Sequence, residues 1–351
     1  MPMPLVPPVI RTRLPLKSNA SMRNLPCRRE SQYPLVPTLR NRDHETNDQR
    51  SRPRCRRNRK SGGWTMTKRA LEKLVSGYGL VEGPLWKDGR GLYFSDVQGG
   101  GVHLLSESGK TETVFPHRKG IGGLVEHVAG GLIVGGRNIE YRSFDDQGRK
   151  VLLERDITPT AVGFNDFTTD SAGRLFVGSV GYSVLADEDE VPGHLHVIDL
   201  DGSVRTVSDG ITLTNGMGFS PDGTRLYHSD ARGGVVRVYP VRDGEVGPWE
   251  TFAAYDAEDH PDGLTVAADG AVVVAVAMGS RADVYEPDGT LRESIPVPLP
   301  MVTSVAFGGA GLKDLFIVTG SRGAADDHSG TIFRTSIDVP GLPVPLCRVG
   351  L

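Results

Sequence analysis

The sequence predicts an all-β protein, a six-bladed β-propeller with a central funnel. One element recurs between residues 66 and 351: a turn rich in Gly, Asp or Asn followed by a short run of β-forming residues. Equivalent apolar positions in successive copies are Leu92, Leu132, Leu175, Leu226, Val272 and Leu315. They are 40, 43, 51, 46 and 43 residues apart. Six units of this length are typical of the four-stranded blades of a propeller.

Each copy has a strand-like run before it and another after it. The first copy, KDGRGLYFSD, is preceded by LVEGPLW and followed by GVHLLS. Turns of the Asp-Gly type close several units, as expected between antiparallel strands. A unit therefore has at least three strands, with room for a fourth. A pair of β-sandwiches does not explain the sixfold count. A helical solenoid is excluded, because no segment after the opening ALEKLVSGY keeps an apolar spacing of three to four residues.

The first 65 residues differ in composition from the rest of the chain. They carry 15 Lys and Arg against 4 Asp and Glu, and they are rich in Pro without apolar periodicity. Such a segment cannot bury enough surface to offset its ordering entropy, so we expect it to be disordered. Three interpretations remain open: a basic tail that binds nucleic acid or a membrane surface, a transit peptide, or translated sequence upstream of the true start. Folded patterning begins at Met66, which favours a misassigned start and a propeller domain over residues 66–351.

Composition also limits the partners and the compartment. No apolar stretch approaches the roughly 20 residues that a membrane helix needs. The opening segment is too short and proline-broken for a secretory signal. The cysteines, Cys27, Cys55 and Cys347, lack metal-site spacing. We therefore expect a cytoplasmic protein, monomeric or weakly dimeric, that has no membrane partner and whose folded domain does not bind nucleic acid.

Polar residues stand at equivalent positions in the runs that precede four of the copies. They are Glu82 in EGPLW, Asn165 in FNDF, Asn215 in TNGMGFSPDG and Asp262 in HPDGLTV. The first strand of each blade lines the central channel of a propeller, so these four side chains should converge on the axis. The remaining two blades offer Gly122 and Ser304, which leave space for a ligand.

The predicted cluster has the donors that a hard cation prefers. Two carboxylates and two amides supply only oxygen ligands, which favours Ca²⁺, with Mg²⁺, Mn²⁺ and Zn²⁺ as alternatives. Taken one at a time, Asn215 and Asp262 have a structural interpretation, because Asn and Asp before glycine are common turn formers. The common phase of the four residues indicates a metal site instead. The funnel is therefore predicted to bind one divalent metal ion.

Over residues 78–335 the sequence resembles the regucalcin and gluconolactonase group, also called the senescence marker protein family. The motifs that carry the resemblance are EGPLW with LYFSD, FNDFTTDSAGRLFVGS, TNGMGFSPDGTRLYHSD and PDGLTVAADG. Members are six-bladed propellers with a divalent metal in the channel. The resemblance implies that Glu82, Asn215 and Asp262 bind metal, that Asn165 binds metal or substrate, and that Asp166 helps to hold the substrate.

The leading hypothesis is a metal-dependent hydrolase that opens a small lactone, either a sugar lactone or a simpler one. A bound cation would polarise the lactone carbonyl and lower the pKa of water, and Asp262 would accept the proton. Asn165 and Asp166 would orient the substrate. We therefore predict Asp262 and Asn165 as catalytic residues. A phosphotriesterase of the same fold and a non-catalytic Ca²⁺-binding scaffold are the alternatives.

One departure from the family pattern concerns the substrate. Sugar-lactone hydrolases of the group often carry arginine two residues before the Asn of the FND-like motif, where this chain has Gly163. Glycine offers no side-chain donor for the hydroxyl groups of a sugar ring. We therefore expect less hydroxylated lactones to be preferred, unless Arg137 or Arg232 supplies the missing donor.

Overall fold

The computed structural model describes residues 69–351, except 146, 185, 187–188 and 257. The predicted basic tail lies outside these residues. Apart from two short 3₁₀ turns, Arg155–Ile157 and Ala310–Leu312, the regular structure of the described residues consists of β-strands. None of the helices described is long and apolar enough to cross a membrane.

The described strands form six antiparallel sheets, so the predicted six-bladed propeller is confirmed. The chain enters at β1 (Glu72–Tyr78), which is the outermost strand of the last sheet. The other sheets follow in chain order, each from its inner to its outer edge. From the first blade to the fifth, the strands are β2 (Val81–Lys87), β3 (Gly91–Asp96), β4 (Val102–Ser106) and β5 (Thr111–Phe115); β6 (Leu124–Glu126), β7 (Leu132–Val134), β8 (Ile139–Arg142) and β9 (Arg149–Leu153); β10 (Gly163–Thr169), β11 (Leu175–Val180), β12 (Gly193–Ile198) and β13 (Val204–Ile211); β14 (Thr214–Phe219), β15 (Arg225–Asp230), β16 (Val235–Arg242), β17 (Glu245–Val246) and β18 (Glu250–Ala254); β19 (His260–Val266), β20 (Val272–Ala277), β21 (Arg281–Tyr285) and β22 (Leu291–Pro296). The sixth blade contains β23 (Val302–Gly308), β24 (Asp314–Thr319), β25 (Gly330–Ser336) and β1.

Strand β1 closes the ring of blades. It pairs with β25 and so completes the sixth blade, whose other three strands lie between Val302 and Ser336. Ion pairs support this closure: Arg334 pairs with Glu72 at 2.6 Å, and Arg69 pairs with Glu293 at 2.8 Å. The helix-like spacing of ALEKLVSGY is therefore overridden by tertiary pairing, because the free edge of β25 offers backbone partners that a helix could not use.

The hydrophobic core lies between the blades. Each pair of neighbouring sheets encloses a cluster of buried side chains in the described part of the chain. The recurring apolar position of the sequence lies on the second strand of every blade and is fully buried in all six, as Leu92 and Val272 illustrate. Removing such side chains from water, at about 25 cal/mol per Å² of apolar surface, stabilises the contact between one blade and the next.

The C-terminal segment after β25 crosses the end of the channel at which the inner strands finish. Its backbone N–H groups donate from Leu342 to the Val266 carbonyl and from Cys347 to the Glu126 carbonyl, both at 2.9 Å. Thr169 on β10 donates its hydroxyl to the Pro345 carbonyl. A cavity of about 420 Å³ lies between this segment and the middle of the inner strands. The C-terminal segment thus lies across this end, and we call the opposite end, where the inner strands begin, the mouth.

Candidate functional site

The four predicted ligands lie near the start of four inner strands, each beside an irregularity in the strand. Pairing between β10 and β11 is interrupted between Phe164 and Phe167, which leaves Asn165 and Asp166 out of the ladder. The same interruption follows Glu82 on β2 and includes Asn215 on β14 and Asp262 on β19. Bulges of this kind redirect side chains and are common next to functional sites. Here they turn polar side chains toward the channel axis.

The inner strands approach one another closely just after these residues. A Cβ on Gly216, which follows Asn215, would lie 2.1 Å from the Leu264 backbone nitrogen. A Cβ on Gly263, which follows Asp262, would lie 2.0 Å from the Ser304 hydroxyl oxygen. Only glycine fits at such contacts. The Asn-Gly and Asp-Gly pairs therefore permit close packing around the axis, as well as providing the polar residue.

The two amide side chains contact each other between the neighbouring third and fourth blades. Asn165 donates from Nδ2 to Asn215 Oδ1 at 2.6 Å and to the Thr214 carbonyl at 2.9 Å. Its own Oδ1 points toward Gly122 of the second blade, where a Cβ would lie only 1.8 Å away. Glycine at 122 therefore provides the space that this oxygen occupies.

Three carboxyl groups are buried together at the axis. Burial raises the pKa of Glu82 well above its usual range, and the charges of Asp262 and Asp166 raise it further. The pKa of Asp262 is also raised well above its usual range, by burial and then by the charge of Asp166. Burial raises the pKa of Asp166 to about 7. Three mutually repelling carboxyls in a buried site are the electrostatic condition that a bound cation relieves.

Hydroxyl groups that the sequence did not single out tie adjacent blades together at this level. Ser95 on β3 donates to the Ile121 carbonyl of the second blade at 2.6 Å. Thr303 on β23 donates to the Val81 carbonyl at 2.6 Å, immediately before Glu82. Ser95, on the second strand of the first blade, also donates to the Glu82 carbonyl at 3.3 Å, whereas Thr303 lies on the inner strand of the sixth blade. These contacts hold the backbone on both sides of Glu82.

The residues present fit a hard divalent cation. Asp262 Oδ1 is buried and accepts no hydrogen bond from any described residue, so one carboxylate oxygen is left for another partner. Asn215 Oδ1 uses one of its two lone pairs for Asn165 and keeps the second. No three His, Cys, Asp or Glu side chains among the described residues are arranged so that they could hold a metal ion by themselves. This is compatible with the predicted set, in which two of the four donors are amides.

The geometry defines a class of protein, a six-bladed propeller with buried carboxylates and amides at the mouth of its channel. Comparison with known proteins identifies the family. Residues 80–321 match the SMP-30/Gluconolactonase/LRE-like region, and the chain belongs to this family, as the sequence motifs indicated.

Named relatives act on lactones. The chain is 31% identical to pentonolactonase XacC of Haloferax volcanii over 285 residues, which cover 75% of this chain and 93% of that protein. It is 30% identical to the 6-deoxy-6-sulfogluconolactonase of Pseudomonas putida, over 76% of this chain and 94% of that one. Among solved structures, a calcium-binding protein, regucalcin, from Agrobacterium tumefaciens has the same fold, with a TM-score of 0.71 and 22% identity over 81% of this chain and 98% of that one. The chain therefore belongs to a family that includes named lactonases as well as regucalcins.

Proposed function

We propose that this protein is a metal-dependent lactonase that opens the ring of a sugar-acid lactone in the mouth of its channel. The names of two relatives at 30% and 31% identity support a sugar-acid substrate, since both act on lactones of this kind. The single observation that carries the proposal is the environment of the Asp262 carboxyl group. Its buried Oδ1 has no hydrogen-bonding partner in the described residues and lies in a group with two further carboxyls.

The proposed metal ligands are Glu82, Asn165, Asn215 and Asp262. All four offer oxygen, which suits Ca²⁺ best, and two carboxylates would neutralise its charge. The name of the structural relative from Agrobacterium, a calcium-binding protein, supports the same choice. When bound, the ion supplies Lewis-acid polarisation of the lactone carbonyl and lowers the pKa of water.

The residues of the chain supply positioning and proton transfer. Asp262 accepts a proton from the attacking water as the water oxygen forms a bond to the carbonyl carbon. The ring C–O bond then breaks, and the same carboxyl group returns the proton to the departing ring oxygen, which gives an open-chain hydroxy acid. Asn165 and Asp166, adjacent on β10, orient the lactone beside Asp262. No covalent intermediate with the protein is needed.

The test is turnover of gluconolactone by the full-length chain before and after chelation, corrected for spontaneous hydrolysis. We expect chelated protein to lose activity and Ca²⁺ to restore it, with Mg²⁺, Mn²⁺ and Zn²⁺ compared in parallel. Asp262→Ala should abolish metal-dependent turnover, and Asp262→Asn should lower kcat by about 10²- to 10⁴-fold, the usual contribution of a general base. Asn215→Ala should weaken metal binding more mildly. Undiminished turnover in metal-free protein, or by Asp262→Asn at limiting metal, would contradict the proposal.

A further inference from the structure

The loop that joins β7 to β8 lies against the first residues of β10, next to the candidate site. Backbone hydrogen bonds join Gly136 and Phe164 in both directions, at 2.7 and 3.1 Å. Because β7 runs antiparallel to β6, this loop lies at the mouth, where the inner strands begin. A Cβ on Gly135 would lie 3.0 Å from the backbone carbonyl oxygen of Asn165. The loop therefore forms part of the rim over the site.

Arg118 fixes the conformation of this loop. Its guanidinium donates to the Gly135 carbonyl at 2.9 Å and to both the carbonyl and the side-chain oxygen of Asn138 at 2.7 Å. It also pairs with Glu140 at 2.9 Å. Arg137 lies between the two clamped residues, and its side chain is exposed. None of the described residues forms a hydrogen bond or an ion pair with Arg137.

Gly163 lies close to the backbone of Gly136 and Arg137. A Cβ on Gly163 would lie 2.9 Å from the Gly136 carbonyl oxygen and 3.8 Å from the Cα of Arg137. A side chain at position 163 and that of Arg137 would therefore begin at nearly the same place on the rim. Since glycine has no side chain, no side chain at position 163 separates Arg137 from Asn165.

Two other loops meet an inner strand through the same kind of isolated bridge, at Gly320 and at Ala277. The residue that follows is Ser321 in one loop and Met278 in the other. The Ser321 hydroxyl is already used, because it donates to a backbone carbonyl at 2.8 Å, and Met278 offers no donor. Among the residues that follow these three bridges, Arg137 is the one that carries charged donors.

We propose that Arg137 is a specificity residue, whose guanidinium binds the oxygen substituents carried by the chain of a sugar-acid lactone. The inference rests on the proposed lactonase function and adds the group that selects the substrate. A guanidinium presents a rigid fork of donors that matches paired oxygen acceptors. Arg232, which the sequence offered as the alternative donor, is paired with Glu190 at 3.4 Å. Less hydroxylated lactones are expected to be preferred only if no other residue supplies the donor that is missing at Gly163. If Arg137 supplies it, that preference is no longer expected.

The experiment compares kcat and KM for gluconolactone and for δ-valerolactone, which lacks hydroxyl substituents. Arg137→Ala should lower kcat/KM for gluconolactone by about tenfold to a hundredfold, the range for losing a hydrogen bond to a charged group, and chiefly through KM. Its kcat/KM for δ-valerolactone should change by less than about twofold. Arg137→Lys should fall between the wild type and Arg137→Ala for gluconolactone, because it keeps the charge and loses the fork. The control is Arg242→Ala, which removes a guanidinium that is 95% exposed at the far end of β16.

The outcomes separate the two proposals. Equal losses for both lactones in Arg137→Ala, or no loss for gluconolactone, would overturn the role of Arg137 and leave the lactonase proposal intact. A wild-type protein that opens neither lactone, with metal supplied, would overturn the proposed function and this inference with it. Selective loss for gluconolactone, absent in Arg242→Ala, would establish Arg137 as a specificity residue.

Discussion

Asn165 donates a 2.6 Å hydrogen bond from its side-chain nitrogen to the side-chain oxygen of Asn215. The bond crosses from the third blade to the fourth. It fixes which end of the Asn215 amide faces the axis, because the oxygen must accept from Asn165. The two amides thus form a unit in which one side chain orients the other toward a cation.

Asn165→Ala should therefore weaken Ca²⁺ binding to chelated protein by more than about tenfold, because it removes a proposed ligand oxygen together with the hydrogen bond that orients Asn215. Isothermal titration calorimetry measures the change, and Asn215→Ala, which removes a proposed donor atom, is the matched comparison. A loss of only about twofold to tenfold, the effect of removing one neutral hydrogen bond, would show that Asn165 orients Asn215 without binding the ion itself. Unchanged affinity would rule out both roles.

The repeated pattern allowed the fold and the location of the site to be predicted from the sequence. Each blade repeats the same inside-to-outside alternation, so Leu92 and its five equivalents mark the second strand of every blade. A common phase also places Glu82 and Asp262 at equivalent positions, although they are 180 residues apart in the chain. Repetition makes long-range geometry visible in a local pattern.

Other features depend on contacts that no local pattern records. Strand β1 has helix-like spacing and becomes a strand because β25 needs a partner. The Thr303 hydroxyl reaches the Val81 carbonyl of another blade, and a threonine in a strand has no distinctive sequence signal. Arg137 was one of two candidate arginines, and only the loop geometry separates it from Arg232.

The contribution of the buried carboxyls to the stability of the metal-free protein should fall as pH rises from 6.5 to 8.5. The buried carboxyls have folded-state pKa values above their usual range, about 7 for Asp166 and higher for Glu82 and Asp262 than for free carboxyls. Unfolded carboxyls are already ionised at these pH values, so the folded state binds more protons and loses stability as they leave. The slope should be at most about 1.4 kcal/mol per pH unit for each titrating group.

Denaturant unfolding of chelated protein across this range measures the slope. His196 and His228, whose pKa values burial lowers to about 4 and about 3, add a slope of the opposite sign below about pH 7.5, because their unfolded imidazoles still bind protons there. Comparing the wild type with Asp166→Asn cancels this contribution, and the slope should be less negative in Asp166→Asn. Saturating Ca²⁺ should remove most of the carboxyl contribution in the wild type. An unchanged slope in Asp166→Asn would mean that the Asp166 carboxyl is not buried with the other two.

Removing residues 1–65 should leave folding and metal binding unchanged. Protein that begins at Met66 keeps Arg69, with its ion pair to Glu293, and all of β1. Its melting temperature should differ from that of the full chain by less than about 2 °C, which is under 1 kcal/mol for a domain of this size. Protein that begins at Gly79 is the control. It lacks β1, exposes the edge of β25 and should melt far lower or fail to fold. A large drop for the Met66 protein would indicate that the removed segment docks on a blade.

Cys347 lies in the C-terminal segment, which crosses the channel at the end where the inner strands finish. The thiol is fully buried, and burial raises its pKa to about 11. Only the thiolate reacts with disulfide reagents, so native Cys347 should react at least about 100-fold more slowly than the unfolded thiol at pH 8. In protein that begins at Met66 it is the sole cysteine, and its labelling rate therefore reports release of the segment.

Val349 supplies the matched test, because it is 1% exposed and packs in the same cluster as Cys347. Val349→Ala removes two buried methyl groups, a loss of about 1 to 2 kcal/mol, which should raise the labelling rate by roughly fivefold to thirtyfold if the reagent enters by local opening. Leu351→Ala changes a side chain that is 46% exposed and should leave the rate unaltered. Equal rates in all three proteins, each matching the global unfolding rate, would mean that the segment opens only when the whole propeller unfolds. If native wild-type Cys347 is labelled as fast as the thiol of the unfolded chain, the C-terminal segment does not pack against the inner strands.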